Sequence, residues 1–167
     1  VELLGEVLDH VVALGLAMEA GLVKYGDADA AIDLLKEIEK GTPLGRIIGS
    51  GAAVTGRVFG LDRVPVVKGQ AIPAYDPRAV KGLGVTYATS TMGADHTAGY
   101  ATATNILKVG GFVDPLKPEG QVELSRNLQI ATAAIDSTGM CVFVAFALMD
   151  IPETFTALID MLNSLYG

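Results

Sequence analysis

The chain has 167 residues, a formal net charge of −7, one cysteine, two histidines and no tryptophan, and half of its residues are hydrophobic. That length suits one compact domain or a piece of a larger one, and the apolar fraction beside only 19% charged residues excludes a disordered chain. The acidic balance argues against nucleic-acid binding, which needs a surplus of lysine and arginine, and a lone cysteine excludes both a disulfide framework and a cysteine metal site completed by this chain alone.

From Leu3 to Val23 apolar residues recur at three- and four-residue steps (Leu4, Val7, Leu8, Val11, Val12, Leu14, Ala17, Met18), the spacing of a helix. Gly26-Asp27 supplies a break and a cap, and Ala30, Ala31, Leu34, Leu35 and Ile38 then alternate with charged residues in an amphipathic helix ended by Gly41. Pro43 suits a first helical turn, so Leu44 to Phe59 is expected to form one helix, closely packed through Gly45, Gly49, Ala52, Ala53 and Gly56. Leu61 to Arg78, with three prolines and a Lys68-Gly69 pair, reads as an ordered connector with a scrap of strand near Val64 to Val67. Asp76-Pro77 predicts a helix from Pro77 to about Ser90, followed by a polar break over Thr91 to Thr97 and a weak helical stretch from Ala98 to Val109. Gly110 to Pro118 is turn-rich. Glu119 to Ile135 predicts a stronger helix with Val122, Leu124, Leu128, Ile130 and Ala131 inward. After an interruption at Asp136-Ser-Thr-Gly139, Met140 to Met149 and the stretch from Pro152 to Tyr166 complete about seven helices. The expected fold class is all-α, an irregular multi-helix array.

The mean hydropathy of +0.43 would suit a membrane protein if the apolar residues were contiguous. The longest runs, Cys141 to Met149 and Val11 to Met18, reach about half of the ~20 residues that a span requires. No span is expected, and Glu2, Glu6 and Asp9 stand where a signal peptide would be basic. A chain that opens on Val1 inside a helical pattern and stops at Gly167 is expected to be excised from a longer one, its surplus apolar surface facing protein absent here.

Three local features could carry chemistry. Gly49-Ser-Gly51 has the look of a dinucleotide loop, but such a loop follows a strand, and Ile47 and Ile48 precede it in a helical pattern. His96 lies in a polar break, where an imidazole can act as acid or base or simply cap a helix; His10, beside Asp9, reads as a surface or packing residue. Asp136-Ser-Thr-Gly-Met-Cys141 sets a carboxylate at one helix end and the only thiol at the opening of the next. Two readings stand for that segment: a thiolate favoured by a helix N-terminus that can ligate a metal, or an Asp cap beside a small buried Cys.

Lys68-Gly-Gln-Ala-Ile-Pro-Ala-Tyr-Asp-Pro-Arg78, Gly84-Val-Thr-Tyr-Ala-Thr-Ser-Thr-Met-Gly-Ala-Asp-His96 and Asp136-Ser-Thr-Gly-Met-Cys141-Val-Phe143 together resemble the tungsten-containing aldehyde:ferredoxin oxidoreductase family. Ala17-Met-Glu-Ala-Gly-Leu22 and Tyr25-Gly-Asp27 look like its upstream helix and turn, in the same order. The resemblance covers essentially the whole chain and the family's central to C-terminal helical region. It implies that residues 1–62 end a middle domain and residues 63–167 open a C-terminal one.

It also implies an enzyme that oxidises a small aldehyde with water to a carboxylic acid, passing electrons from a tungsten or molybdenum bis-pterin centre through a [4Fe-4S] cluster to ferredoxin in the cytoplasm. Asp136, Gly139 and Met140 match the motif that holds one pterin, Cys141 its fourth cluster ligand, and His96 the histidine that assists proton transfer. The physical logic agrees, since a carboxylate accepts from pterin N–H groups and a nearby thiolate brings the cluster to the same pterin.

Departures are Met140 for the commoner Leu, a volume-conserving change, Gln70-Ala71 for a Glu, Met92 for Arg and Ala98 for a basic residue; the last two remove positive groups and weaken the case for direct pterin phosphate contact by this segment. One thiolate cannot hold a cluster, so the 167-residue chain alone is expected to bind neither cluster nor tungsten and to be inactive without the remaining parts of the protein. The alternative is a non-catalytic helical scaffold or interaction module of a paralogue.

Overall fold

The periodic start of the chain forms helix α1 (Glu2–Glu19) in the computed structural model, which describes the backbone of residues 2–167 and the side chains from Asp9 onward. Its inward stripe is Ala13, Leu16 and Ala17. Both ends of α2 (Ala28–Lys40) follow from local sequence: the Asp27 carboxylate accepts from the Ala30 N–H at 3.0 Å, and Gly41, at φ 64°, donates its N–H to the Ile38 carbonyl at 3.0 Å. Thr42 caps α3 (Pro43–Gly49) by accepting from the Gly45 N–H at 3.0 Å, with Pro43 in the first turn. Ala13, Ala17, Leu34 and Ile48 then form one apolar cluster, and Leu16, Ala52 and Ala71 a second.

The single helix expected from Leu44 to Phe59 is in fact two. α3 ends at Gly49, and α4 (Ala52–Val58) starts after Gly51, whose φ of 88° a residue with a Cβ rarely adopts. The break is closed by α1. Asp9 Oδ1 accepts from the Ala52 N–H at 3.2 Å, and His10 Nε2 donates to the Gly49 carbonyl at 3.1 Å. Adjacent residues of one helix thus satisfy the end of α3 and the start of α4, which gives the histidine read as a surface or packing residue a specific structural role. Asp9→Ala is expected to cost ~1 kcal/mol, the usual worth of a helix cap, measured by denaturant unfolding. An unchanged midpoint would refute the cap.

Beyond α4, β1 (Val66–Val67) pairs antiparallel with β2 (Gln70–Ala71), Val66 opposite Ala71, around a Lys68-Gly69 turn with both residues in the left-handed region. The chain divides into two compact units, Val1–Ala74 with Thr91–Asp95, and Tyr75–Ser90 with His96–Gly167.

The second unit departs further from local expectation. Helix α5 is Lys81–Thr89, not Pro77 to Ser90, because Asp76 closes a turn instead of starting a helix. Its carboxylate accepts from the Arg78 N–H at 2.8 Å and from the Arg78 guanidinium, which together hold the carboxyl down at about 2, while its carbonyl takes the N–H groups of Ala79 and Val80. The stretch from Ala98 to Val109 is a 3₁₀ turn at Thr97–Gly99 and a π turn at Ala103–Leu107, closed by Lys108 at φ 61°. α6 (Gln121–Ser137), α7 (Val144–Asp150) and α8 (Pro152–Tyr166) follow, so the second apolar helix begins four residues later than expected.

The inward face of α6 also differs. Val122 is 70% and Ile130 64% exposed, and Ala131 is exposed too, whereas Gln121, Ser125, Leu128, Thr132 and Ile135 are buried at alternating four- and three-residue steps. Small polar groups that satisfy one another make this face. The Ser125 hydroxyl bonds Thr86 Oγ1 of α5 at 2.8 Å, Thr86 also donates to the Gly99 carbonyl at 3.1 Å, and Gln121 Nε2 donates to the Asp114 carbonyl at 2.7 Å. Buried polar groups are tolerated when paired in this way. The result is a helical array with a two-strand hairpin, the all-α class that periodicity implied. Among the described residues no helix is long and apolar enough to cross a membrane.

Candidate functional site

His96 enters the second unit one residue before the 3₁₀ turn, half-buried. Its imidazole lies over the Tyr75 ring, centroids 5.0 Å apart and planes 35° apart, and faces the Tyr100 ring at 5.9 Å. Tyr75 and Tyr100 meet edge to face at 5.7 Å, with their hydroxyl oxygens 3.0 Å apart. Burial, and then the bond to Tyr75, push the Tyr100 hydroxyl up to about 12, so it keeps its proton at neutral pH. Phe146 of α7 meets Tyr100 edge-on at 6.2 Å and stacks on Phe143 at 5.8 Å. One row of rings therefore runs from His96 through Tyr75, Tyr100 and Phe146 to Phe143, two residues from Cys141.

The other end of the row is the break between α6 and α7. Asp136 lies in the last turn of α6, exposed, and neither caps that helix nor ends it, which corrects the cap reading. A carboxylate there opposes the helix dipole at a typical cost of ~0.3–1 kcal/mol, and the last turn of α6 has no basic residue to offset it. Gly139, at φ 75°, turns the chain into open space, and Met140, half-buried, donates its N–H to Thr138 Oγ1 at 3.3 Å.

Cys141 is an exposed free thiol three residues before α7. This corrects the expected placement at a helix opening and the reading of a buried packing residue. The Cys141 carbonyl accepts from Val144, and among the described residues the N–H groups of Cys141, Val142 and Phe143 donate no hydrogen bond. An exposed carboxylate, an exposed thiol and a run of unpaired N–H donors make a donor set that fits part of a pterin and cluster site: acceptors for ring N–H groups, one soft ligand for iron, and donors for sulfide. Among the described residues no group of three His, Cys, Asp or Glu side chains able to hold a metal exists.

Tyr75, Tyr100, Phe143 and Phe146 were not legible as site residues. They are four of only ten aromatic residues in the chain, and they converge from positions up to 71 residues apart, so no local pattern joins them. The apolar cavity beside the row, lined by Tyr100, Leu128, Ile135, Phe143, Phe146 and Met149, has a volume of about 20 Å³, room for a water but not for an organic substrate.

The family model described as aldehyde ferredoxin oxidoreductase, domains 2 and 3, matches residues 11–167. The chain belongs to the aldehyde ferredoxin oxidoreductase family. It is 32% identical over 146 residues to the tungsten-containing aldehyde ferredoxin oxidoreductase of Pyrococcus horikoshii, covering 86% of this chain and 23% of that protein. It is 32% identical over 127 residues to the Pyrococcus abyssi protein of the same name, covering 75% and 21%. The chain thus spans less than a quarter of the length of these curated relatives. Membership of this family accords with the helical array and with the motifs at Lys68–Arg78, Gly84–His96 and Asp136–Phe143.

Proposed function

We propose that this chain contributes one side of the cofactor site of an enzyme that oxidises small aldehydes to carboxylic acids. Asp136, with the turn at Gly139 and Met140, holds one pterin of a tungsten or molybdenum bis-pterin centre; Cys141 is one of the four thiolates of a [4Fe-4S] cluster; His96 moves a proton at the substrate. The observation that carries this reading is Asp136: a carboxylate left exposed at the wrong end of a helix dipole, on the same open turn as an exposed thiol and unpaired N–H donors, is a local cost without structural return. When bound at Asp136, Gly139, Met140 and Cys141, the centre would supply the two-electron oxidation and the cluster an outlet for electrons toward ferredoxin.

The chain's own residues then have simple tasks. Adding water to an aldehyde carbon and removing two electrons yields a carboxylic acid and releases two protons, and an imidazole at neutral pH is suited to accept one. Residues 1–62 close a middle domain and residues 63–167 open the C-terminal one, the rest of the site coming from other parts of the protein. An exposed thiol is compatible with a reducing compartment such as the cytoplasm.

Full-length protein assayed for aldehyde-dependent reduction of an artificial electron acceptor tests the reading. His96→Ala is expected to lower kcat ~10²-fold or more, the ordinary worth of a general base, with metal content unchanged. Unaltered kinetics would remove His96 from the mechanism.

A further inference from the structure

His96 is half-buried at the edge of a short turn. Proton transfer tolerates little misplacement, so what sets the ring is of interest. The nearest face is Tyr75, 5.0 Å from the imidazole centroid. Tyr75 is itself held at two points: its carbonyl accepts from the hydroxyl of Tyr87 of α5 at 3.1 Å, and its own hydroxyl bonds that of Tyr100 at 3.0 Å. The first anchors the backbone and the second the tip of the ring. Tyr100 in turn is braced from the far side by Phe146 at 6.2 Å.

We propose that Tyr100 is a positioning residue: its hydroxyl, bonded to that of Tyr75, locks the Tyr75 ring against which the His96 imidazole lies, and Phe146 braces it from the segment that carries Cys141. Tyrosine is needed at both positions, because removing either hydroxyl leaves the other in a partly buried site without its partner and frees the Tyr75 ring to tilt. The inference rests on the reading of His96 as the proton-transfer group only for its kinetic consequence; the geometric claim stands apart from it.

Tyr100→Phe and Tyr75→Phe in the full-length enzyme delete the same hydrogen bond from its two ends, and both keep the ring. Diethyl pyrocarbonate modification of His96, followed by peptide mass spectrometry and referred to the His10 peptide of the same molecule, reads the position of the imidazole without any turnover. Each variant is expected to raise the His96 rate about threefold or more, and to lower kcat about tenfold with KM within about twofold and metal content unchanged. In a His96→Ala background the same substitutions should cost less than about twofold further, since they act through His96.

A modification rate that is unchanged or slower in both variants overturns the proposal, as does an equal loss of kcat with and without His96, which would mark a merely structural role. If His96→Ala leaves turnover intact while the modification rate rises in Tyr100→Phe, the catalytic role of His96 falls and the positioning stands. If His96→Ala abolishes turnover and the tyrosine variants behave as wild type, the positioning falls and the functional reading stands.

Discussion

Replacing Cys141 by alanine in the full-length protein is expected to abolish the low-temperature paramagnetic signal of a reduced [4Fe-4S] cluster and to lower iron content, while leaving the fold intact. Four thiolates complete such a cluster, so the loss of one removes a quarter of its ligands and opens it to solvent. The structural side of the expectation is as specific. Cys141 is exposed and precedes α7 in a turn, so it contributes no core packing, and its truncation should change the stability of the cluster-free protein by no more than ~0.5 kcal/mol. Iron loss with an unchanged unfolding midpoint of the cluster-free protein identifies a ligand, because the bound cluster itself would add stability that any ligand loss removes. An unchanged cluster would remove Cys141 from the site, and a large fall in stability of the cluster-free variant against the cluster-free wild type would point to unfolding instead. On the proposed function, aldehyde oxidation should fall with the cluster signal.

Gly45→Ala is expected to destabilise the fold by ~2–4 kcal/mol, although alanine is the better helix former by ~1 kcal/mol. The reason lies in the neighbouring helix. A Cβ at Gly45 would overlap the backbone carbonyl of Glu37 in α2 and lie 2.7 Å from the Ile38 nitrogen, and backbone atoms inside a helix cannot rotate aside as a side chain can. Gly49→Ala meets only the Ile38 side chain, at 3.0 Å, and should stay within ~1 kcal/mol of wild type. Gly15→Ala in α1 has nothing within 4 Å and should be neutral or stabilising by up to ~1 kcal/mol. Denaturant unfolding of the three variants, followed by helical circular dichroism, should rank Gly45→Ala far below the other two. Similar midpoints for all three would mean that α2 and α3 separate at little cost.

The polar seam of α6 shows why hydropathy misleads in this chain. A ranking by apolar residues turns Val122 and Ile130 inward, yet both are exposed and Ser125 is fully buried. Ser125 can be buried because Thr86 of α5 bonds its hydroxyl at 2.8 Å and Gln129 donates to it at 3.0 Å. Paired hydroxyls lose little on burial, and small side chains let helices approach closely. The partner lies 39 residues away in sequence, outside any local window. The same distance hides the split of α3 from α4, which depends on Asp9 and His10 reaching across from α1.

By itself the sequence determined whatever is encoded within one helical turn or one contiguous motif. The Asp27 cap, the Gly41 stop, the start of α8 at Pro152, the all-α class and the order of the family motifs around His96 and Asp136–Cys141 all rest on neighbouring residues. Only the tertiary structure decided which face of α6 is buried, where the helix after Pro43 breaks, that Cys141 is exposed, and that rings from Tyr75 to Phe146 form one row ending on His96. The division has one physical cause. Caps and helical periodicity are satisfied by atoms a few residues apart, whereas hydrogen-bond pairing across helices and the meeting of aromatic rings depend on chain segments that only folding brings within a few ångströms of each other.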